Sequence, residues 1–309
     1  MEKTRTYFLN ALKKGDTLFH YTSAEGLLGI LGGEFWITES QFLNDVTEFH
    51  VATDVLMEVL ERNIKDINKK ETLKRATNGQ IKRFNDSDGS FYENPESYEH
   101  LGYYVISFCL DKDSILMWSE YSDFCGYCIE FDFDKLIHSF SGSITIKHGK
   151  VIYNHEEQVA ILEKIIEDIV FKSNELYNDI NSWDDFDKIN INQVRRLSIT
   201  LALVIPIYNM FFKKECFSGE NEYRVIFVCN HDEKSSMYCS NTRETQYFRI
   251  KDNVLIPFIK QKLTSLDSVK SILIGPKNNS DIVEKGVKHF LCYHKIKAQV
   301  EKSEMPLRF

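Results

Sequence analysis

The sequence predicts an α+β protein in which a strand-rich core carries a helical insertion. Hydrophobic periodicity indicates short strands separated by short helices early in the chain, two long helices at about 155–214, and mainly strands afterwards. Because strands and helices do not alternate regularly, this pattern favours α+β over a repeating βαβ architecture. A length of 309 residues, with 43% hydrophobic and 27% charged residues, is ordinary for a globular protein. We therefore expect a single domain over residues 1–309, with the insertion inside it.

The N-terminal elements are bounded by cap and turn residues. The first helix begins after Thr22 or Ser23, either of which is a favourable N-cap. Asp45, followed three residues later by Glu48, forms a capping-box pattern, and apolar residues at helical spacing come after it. The stretch 68–100 is polar and weakly patterned, so no element is predicted there. The elements predicted in this part are a strand at 18–22, a helix at 24–31, a strand at 35–38 and a helix at about 46–67.

The clearest strand signal is the apolar run Tyr103–Leu110, which is typical of a buried strand. A short helix begins at Asp113 or Ser114, and Gly275-Pro276 ends a late strand. Pro206 lies in the second long helix, which we expect to bend or end near it. The other predicted elements are strands at 126–132, 144–153, 222–229, 246–250, 254–260, 269–276 and 296–301, and helices at 155–180, 191–214 and about 280–292.

Charge and cysteine usage favour a cytoplasmic protein. The N-terminus lacks the apolar core of a signal peptide, and the most apolar run, 197–212, is too short to span a membrane. Seven cysteines, an odd number, indicate reduced thiols rather than a disulfide framework. The net charge is −8, but residues 243–309 hold 13 lysines and arginines against seven acidic residues. Such a portion suits a phosphate-bearing ligand or nucleic acid, or is a solvated lysine face.

Several well-known catalytic and binding motifs are missing from the chain. It has no GxGxxG, Walker-type GxxxxGK[ST], HExxH or GxSxG pattern. Cys125-x-x-Cys128 has the spacing of a redox or zinc half-site, but no second Cys/His pair follows at ligand spacing. We interpret this pair as part of a turn and predict no metal site.

Polar and aromatic side chains instead gather at the ends of predicted elements. Each has a structural alternative: a buried histidine, a helix cap, core aromatics or a solvated edge. If the backbone is locally extended, two glutamates separated by a single residue project to the same side of a strand. Two aromatic residues three apart share a helix face. The candidates are His20 and Tyr21, then Asn44, Asp45 and Glu48, then Trp118 and Tyr121, and finally Glu220, Glu222 and Arg224.

Five segments together carry a family resemblance. They are "HYTS", "FWIT…FLND..E", "ISFCLDKDSILMWSEYSDFCGYCIEFD", "ENEYRVIF" and "SILIGPKN", in order over roughly residues 17 to 276. They resemble a widespread bacterial domain-of-unknown-function family found among phage-defence and toxin-like genes. That family in turn resembles the ADP-ribosyltransferase fold, in which a split antiparallel or mixed β-sheet grips NAD. The chain departs from that fold in lacking Ser-Thr-Ser on the second strand and in having the insertion at about 155–214.

The resemblance implies roles for the candidate residues. Glu222 would be the catalytic glutamate and Glu220 its partner in an E-x-E pair. His20 and Tyr21 would contact NAD, and Trp118 or Tyr121 would stack on nicotinamide. Arg224 or one of the C-terminal lysines would pair with the pyrophosphate. The remaining candidates, Asn44 and Asp45, would form a wall of the same cleft, with Asn44 as the ligand contact.

The function implied is an NAD-dependent ADP-ribosyltransferase acting on a protein or nucleic acid, as a toxin or anti-phage effector. NAD would be its substrate, and a phage-derived trigger or neutralising partner would control it. Three alternatives stay open: an NAD glycohydrolase using the same site, a non-catalytic sensor of a nucleotide or phage component, and a nuclease holding magnesium at Asn44, Asp45 and Glu48. The measurements that separate them are NAD turnover, NAD binding without turnover, and metal-dependent cleavage.

Overall fold

The strands of the chain join into one mixed sheet, with helices on both faces. The computed structural model describes residues 12–43, 50–84, 101–140, 145–172, 176–177, 179–230, 246–251, 253–278 and 280–306. Within these ranges the sheet has ten strands, of which β9 and β10 below are parallel and the other pairs are antiparallel. The predicted α+β class with peripheral helices is confirmed.

The strands are bounded as follows: β1 Thr17–Thr22, β2 Glu34–Glu39, β3 Leu101–Cys109, β4 Tyr127–Asp132, β5 Thr145–Lys150, β6 Glu222–Asn230, β7 Gln246–Lys251, β8 Val254–Lys262, β9 Val269–Ile274 and β10 Gln299–Lys302. The α-helices are α1 Ala24–Leu31, α2 Val51–Asn63, α3 Ile67–Phe84, α4 Ile115–Ser122, α5 Phe133–Ser139, α6 His155–Val170, α7 Ile191–Asn209 and α8 Asp281–Tyr293. Short 3₁₀ helices occupy Ser40–Phe42, Trp183–Lys188 and Glu215–Glu220.

The sheet forks at β3. Along one edge β3 pairs with β6 over its whole length, from Leu101 to Cys109. Along the other edge its end pairs with β1, at Cys109, and its middle pairs with β2, at Tyr104 and Val105. β1 then continues through β4 and β9 to β10, whereas β2 continues through β8 to β7. The first two strands of the chain therefore diverge from each other instead of pairing.

The register assigns residues to the two faces of the sheet. Directly opposite residues of an antiparallel pair project to the same face, and neighbours along a strand project to opposite faces. Phe19 is opposite Cys109, and Cys109 is opposite Glu222, so these three share one face. Helix α4 covers that face beside Cys109, and α2, α3, α6 and α7 cover it farther along β6. Phe108 and Tyr223 share the other face, which α1, α5 and α8 cover.

The helical elements differ from the prediction at several places. The helix predicted at 46–67 corresponds to α2, which ends at Asn63. Its predicted start, with the Asp45–Glu48 capping box, lies outside the described residues. The stretch at 68–100 was predicted to have no element, yet it contains most of α3, which Asp66 caps by accepting from the N–H groups of Asn68 and Lys69. Helix α5 was not predicted, and helix α6 ends at Val170 rather than at the predicted residue 180. Helix α7 continues through Pro206 and ends at Asn209.

Asn209 joins the helical elements by capping α2 from another helix. The Oδ1 atom of Asn209 accepts from the backbone N–H of Ala52 at 2.8 Å and of Thr53 at 3.2 Å. His50, the N-cap residue of α2, makes no side-chain cap bond. The Asn209 side chain is buried. An amide oxygen therefore satisfies two of the four N–H groups that every helix start leaves unpaired.

Replacing Asn209 with alanine should destabilise the protein by about 1–2 kcal/mol, because two buried N–H groups would lose their acceptor. The measurement is the midpoint of urea unfolding followed by circular dichroism. Asn78→Ala is the matched control, since the Asn78 amide donates to the sulfur of Met57, at 3.7 Å, which is a weak acceptor. Equal midpoints for the two variants would show that the contact with α2 contributes nothing.

Candidate active site

Three of the candidate residues, Glu220, Glu222 and Arg224, lie together where β6 begins. Asn221 has a left-handed backbone, with φ 42°, and it ends the 3₁₀ helix that carries Glu220. Asparagine tolerates this conformation better than most residues. Its side chain donates to Asp111 Oδ2 at 3.0 Å, and its carbonyl accepts from the N–H of Leu110. Glu222 then enters the sheet opposite Cys109.

The expectation that Glu220 and Glu222 lie on a locally extended strand is wrong, because Glu220 belongs to the 3₁₀ helix. The two carboxyl groups nevertheless come together. Lys213 Nζ donates to Glu220 Oε2 at 2.6 Å and to Glu222 Oε1 at 3.2 Å. A sharp turn at Asn221, together with a bridging lysine, replaces the simple alternation of a strand.

Glu222 is almost fully enclosed by donors. Arg224 Nε donates to its Oε2 at 2.5 Å, and its backbone N–H donates to the Tyr153 hydroxyl at 3.0 Å. The Glu222 side chain is only 2% exposed, whereas that of Glu220 is 13% exposed. A ligand approaching from solvent would therefore meet Glu220 before Glu222.

The two carboxyl groups have opposite pKa shifts. Burial, followed by the neighbouring Glu222, raises the pKa of Glu220 to about 8, against the lowering effect of Lys213. Burial also acts to raise the pKa of Glu222, but Arg224, the hydrogen bond with Glu220 and Lys213 together lower it to about 2. One carboxylate and one proton-bearing carboxyl group thus stand side by side at neutral pH, an arrangement typical of acid–base sites.

Tyr121 is the aromatic side chain of α4 that borders this pair. It is 37% exposed. Its pKa is raised, first by burial and then by the negative charges of Glu222 and Glu220, and its helix packs near the 3₁₀ helix that carries Glu220. Burial and the charge of Glu222 raise the pKa of Tyr153 as well. Both phenols therefore stay protonated and can donate hydrogen bonds.

Trp118, the other aromatic candidate on α4, is fully buried. Its Nε1 donates to Asp113 Oδ1 at 2.7 Å, and its ring packs edge-on against Tyr21 at 4.9 Å between centroids. Trp118 offers no exposed face on which nicotinamide could stack. Tyr21 is also buried, and its hydroxyl donates to Asp111 O and accepts from Ser114 N–H, which fixes the loop that precedes α4.

His20 does not meet Glu222. It neighbours Phe19 along β1, so it projects from the face opposite to that of Glu222. There its ring lies edge-on to Phe35 and Phe108, and its Nδ1 is 3.1 Å from Ser107 O. Burial lowers the pKa of His20 to about 4. His20 and Glu222 therefore do not share the expected cleft. Consecutive residues of β1 point to opposite faces of the sheet, and Phe19, not His20, lies on the face of Glu222.

Arg224 also differs from its expected role. Its guanidinium group is 2% exposed and donates to Glu222 and, through Nη1, to Met210 O at 2.8 Å. It is therefore a partner of the carboxylate rather than a group that reaches a pyrophosphate. Asn44 and Asp45, the two other expected binding residues, lie outside the described residues.

Sequence reasoning missed Lys213 and Tyr153. Lysine is seldom buried, so a lysine that directly follows the apolar run Met210-Phe211-Phe212 is a signal that could have revealed it. Tyr153 is the last residue of the strand predicted at 144–153 and carries no comparable signal. Among the described residues, no group of three or more His, Cys, Asp and Glu side chains is arranged to hold a metal ion. No helix in the described ranges is both long and apolar enough to cross a bilayer.

Two concave regions lie away from this site. An apolar groove of about 230 Å³ runs between α1 and α8, lined by residues such as Leu27, Leu31 and Phe290. A cavity of about 530 Å³ lies between α8 and β10, lined by residues that include Cys292 and Val300. Neither is lined by Glu220 or Glu222.

Comparison with known proteins adds one finding. Residues 117–225, which run from α4 to β6 and include Tyr121, Lys213 and both glutamates, match the family model described as a protein of unknown function (DUF2971). Neither a curated protein nor a solved structure matches the chain significantly. The candidate site thus lies within the segment similar to the DUF2971 family.

Proposed function

We propose that the protein is an NAD-consuming ADP-ribosyltransferase whose reacting groups are Glu222 and Glu220. The observation that carries the proposal is the pair itself: a buried carboxylate fixed by Arg224 and Lys213, beside a second carboxyl group at the surface. The forked sheet supports it, because the ADP-ribosyltransferase fold that the sequence resembles also has a split sheet. In this proposal His20, Trp118 and Arg224 are structural, and Tyr121 is the aromatic contact of the substrate.

The proposed reaction breaks the bond between nicotinamide and ribose. Nicotinamide leaves with the bonding electron pair, and positive charge grows on the ribose. The Glu222 carboxylate stabilises that charge, and its fixed position means that little reorganisation is needed. The acceptor nucleophile forms the new bond to ribose and gives its proton to the ionised form of Glu220. The acceptor is a macromolecule in this proposal, and water in the alternative of an NAD glycohydrolase.

The resemblance to phage-defence and toxin-like families extends the proposal to an intracellular effector role. The six cysteines in the described ranges are free thiols, as a reducing compartment would leave them. A phage-derived trigger or neutralising partner would then control the enzyme. A non-catalytic sensor is the alternative from another class.

The test is incubation of purified protein with NAD labelled on the adenylate phosphate, with and without lysate of phage-infected cells. Label transferred to protein or nucleic acid supports the transferase. Free ADP-ribose alone identifies the glycohydrolase. Tight NAD binding with no turnover under any of these conditions identifies the sensor and contradicts the proposal.

The pH dependence of turnover should report the ionisation of Glu220. Because the base must be ionised, kcat/KM should rise about tenfold per pH unit below about pH 8 and level off above it. The measurement is initial NAD turnover from pH 5.5 to 9.5 in buffers of constant ionic strength. Glu220→Gln should remove this limb of the profile. A wild-type profile that is flat across pH 8 would show that Glu220 is not the base.

A further inference from the structure

Lys213 is a buried lysine whose backbone is clamped in place. Its N–H donates to Ile152 O at 3.1 Å, and Gln158 Nε2 donates to Lys213 O at 2.9 Å and to Ile152 O at 2.7 Å. Lys213 and Gln158 are both buried, at 4% and 2% exposure. The segment that follows α7 is therefore joined to the segment that follows β5, and the Lys213 side chain starts from a fixed point.

The ammonium group of Lys213 lies between the two carboxyl groups. It is 2.6 Å from Glu220 Oε2 and 3.2 Å from Glu222 Oε1, and it stands over the ring of Phe217, 4.7 Å from the centroid. A charged group is buried at this depth only when it is paired, and here one cation serves two carboxyl groups. Arg224, by contrast, contacts Glu222 and not Glu220.

The cations are therefore divided between the carboxyl groups. Arg224 keeps Glu222 ionised, while Lys213 is the cation that contacts Glu220 in the described part of the chain. Burial and the neighbouring Glu222 both disfavour ionisation of Glu220, whereas Lys213 favours it. The other titratable or charged groups that face the pair from the described elements are Arg224 on β6, Tyr121 on α4, Tyr153 after β5 and Cys109 on β3.

We propose that Lys213 is a positioning residue of this site, whose ammonium group bridges Glu220 and Glu222 and favours the ionised form of Glu220. The inference rests on the proposed function for its catalytic meaning only. The geometry would set the protonation of the pair even if the ligand were not NAD.

The decisive experiment is a direct titration of Glu220 by NMR in protein labelled with ¹³C at glutamate side chains, with the resonance assigned through Glu220→Gln. In Lys213→Met the midpoint should move upward by about 1–3 pH units, the usual effect of a nearby opposite charge. Lys213→Arg, which keeps the charge, should stay close to the wild type. Lys112→Met is the control, because Lys112 contacts Glu130 and Glu301. A folded Lys213→Met with an unchanged midpoint overturns the inference.

A second measurement needs no destabilising variant. The ¹⁵Nζ resonance of Lys213 in the wild type, identified by its absence in Lys213→Arg, should shift with the same midpoint as Glu220. A resonance that does not respond overturns the inference even if Lys213→Met fails to fold.

Kinetics then separate this inference from the proposed function. In Lys213→Met the acid limb of NAD turnover should move with the NMR midpoint, lowering kcat at pH 7 by about tenfold or more with a smaller change in KM. Shifted NMR titrations without NAD turnover in any variant would retain the role of Lys213 and reject the transferase. If Lys213→Met turns over NAD and neither the acid limb nor the Glu220 titration shifts, the transferase would be retained and the role of Lys213 rejected.

Discussion

Glu222→Gln is expected to lower NAD consumption by about 10²- to 10⁴-fold, the usual contribution of a well-placed charged or proton-transferring group. Glutamine has nearly the same shape but no negative charge, so the positive charge that grows on the ribose would lose its fixed counter-charge. The single amide oxygen of glutamine can still accept from either Arg224 or Lys213, so one of the two hydrogen bonds to this side chain is retained. The measurement is single-turnover NAD consumption at saturating NAD, so that binding and chemistry are separated.

The control for this variant is Glu130→Gln. Glu130 is another partly buried glutamate of the sheet. It pairs with Lys112 and Lys270 and accepts from the Ser271 hydroxyl, but it lies on β4, away from the Glu220–Glu222 pair. Its replacement should leave turnover within about twofold, as expected for a position away from the chemistry. Full activity of Glu222→Gln would end the assignment of Glu222 as the reacting carboxylate.

Arg224→Met is expected to have the largest effect on stability, a loss of about 3–5 kcal/mol in the free energy of unfolding. Methionine fills much of the same volume but leaves the buried Glu222 carboxylate with Lys213 as its remaining cation among the contacts described above. It also removes the donor to Met210 O, where α7 ends. Urea unfolding followed by intrinsic fluorescence measures the loss.

A double-mutant cycle shows how much of this loss belongs to the pair. In Glu222→Gln the same Arg224→Met change should cost clearly less, because no buried charge is then left unpaired. Arg249→Met is the matched control: Arg249 is half-buried and donates to the Thr38 hydroxyl at 2.7 Å, so its loss should resemble that of one ordinary hydrogen bond, about 1 kcal/mol. Strict additivity of Arg224→Met and Glu222→Gln would mean that their contact contributes no coupling energy.

The elements that the sequence predicted well are those whose burial produces an unambiguous period. β3 and β6 contain the apolar runs Tyr103–Ile106 and Val225–Cys229, and α6 carries Val159, Leu162 and Ile166 on one face. α3 was missed for a physical reason. Among its described side chains the buried stripe consists of Lys70, Leu73, Thr77 and Ile81, so a lysine and a threonine interrupt the apolar spacing. The positions between them are mostly charged or polar.

The site was predictable in part. Glu220, Glu222 and Tyr121 do lie together, because the turn at Asn221 and the packing of the 3₁₀ helix near α4 bring them there. The face on which His20 lies could not be predicted, since it depends on the register of β1 against β3, set by a single opposed pair, Phe19 and Cys109. A shift of one residue would have reversed it. The cap that Asn209 provides for α2 was equally hidden, because its partners are about 157 residues away in sequence.

The fork at β3 has a consequence for how the chain reaches its native state. β3 is shared by both branches of the sheet, yet its longest pairing is with β6, which is made about 110 residues later in the chain. During synthesis on the ribosome, α6 and α7 emerge after β3 and before β6. The edge of β3 that pairs with β6 therefore stays unpaired until β6 has been made. Closing so long a loop is slow, and an open apolar edge invites pairing with other chains. Assembly of the sheet, and with it of the Glu220–Glu222 pair, is therefore expected to be the last step of folding and the one most in need of chaperones.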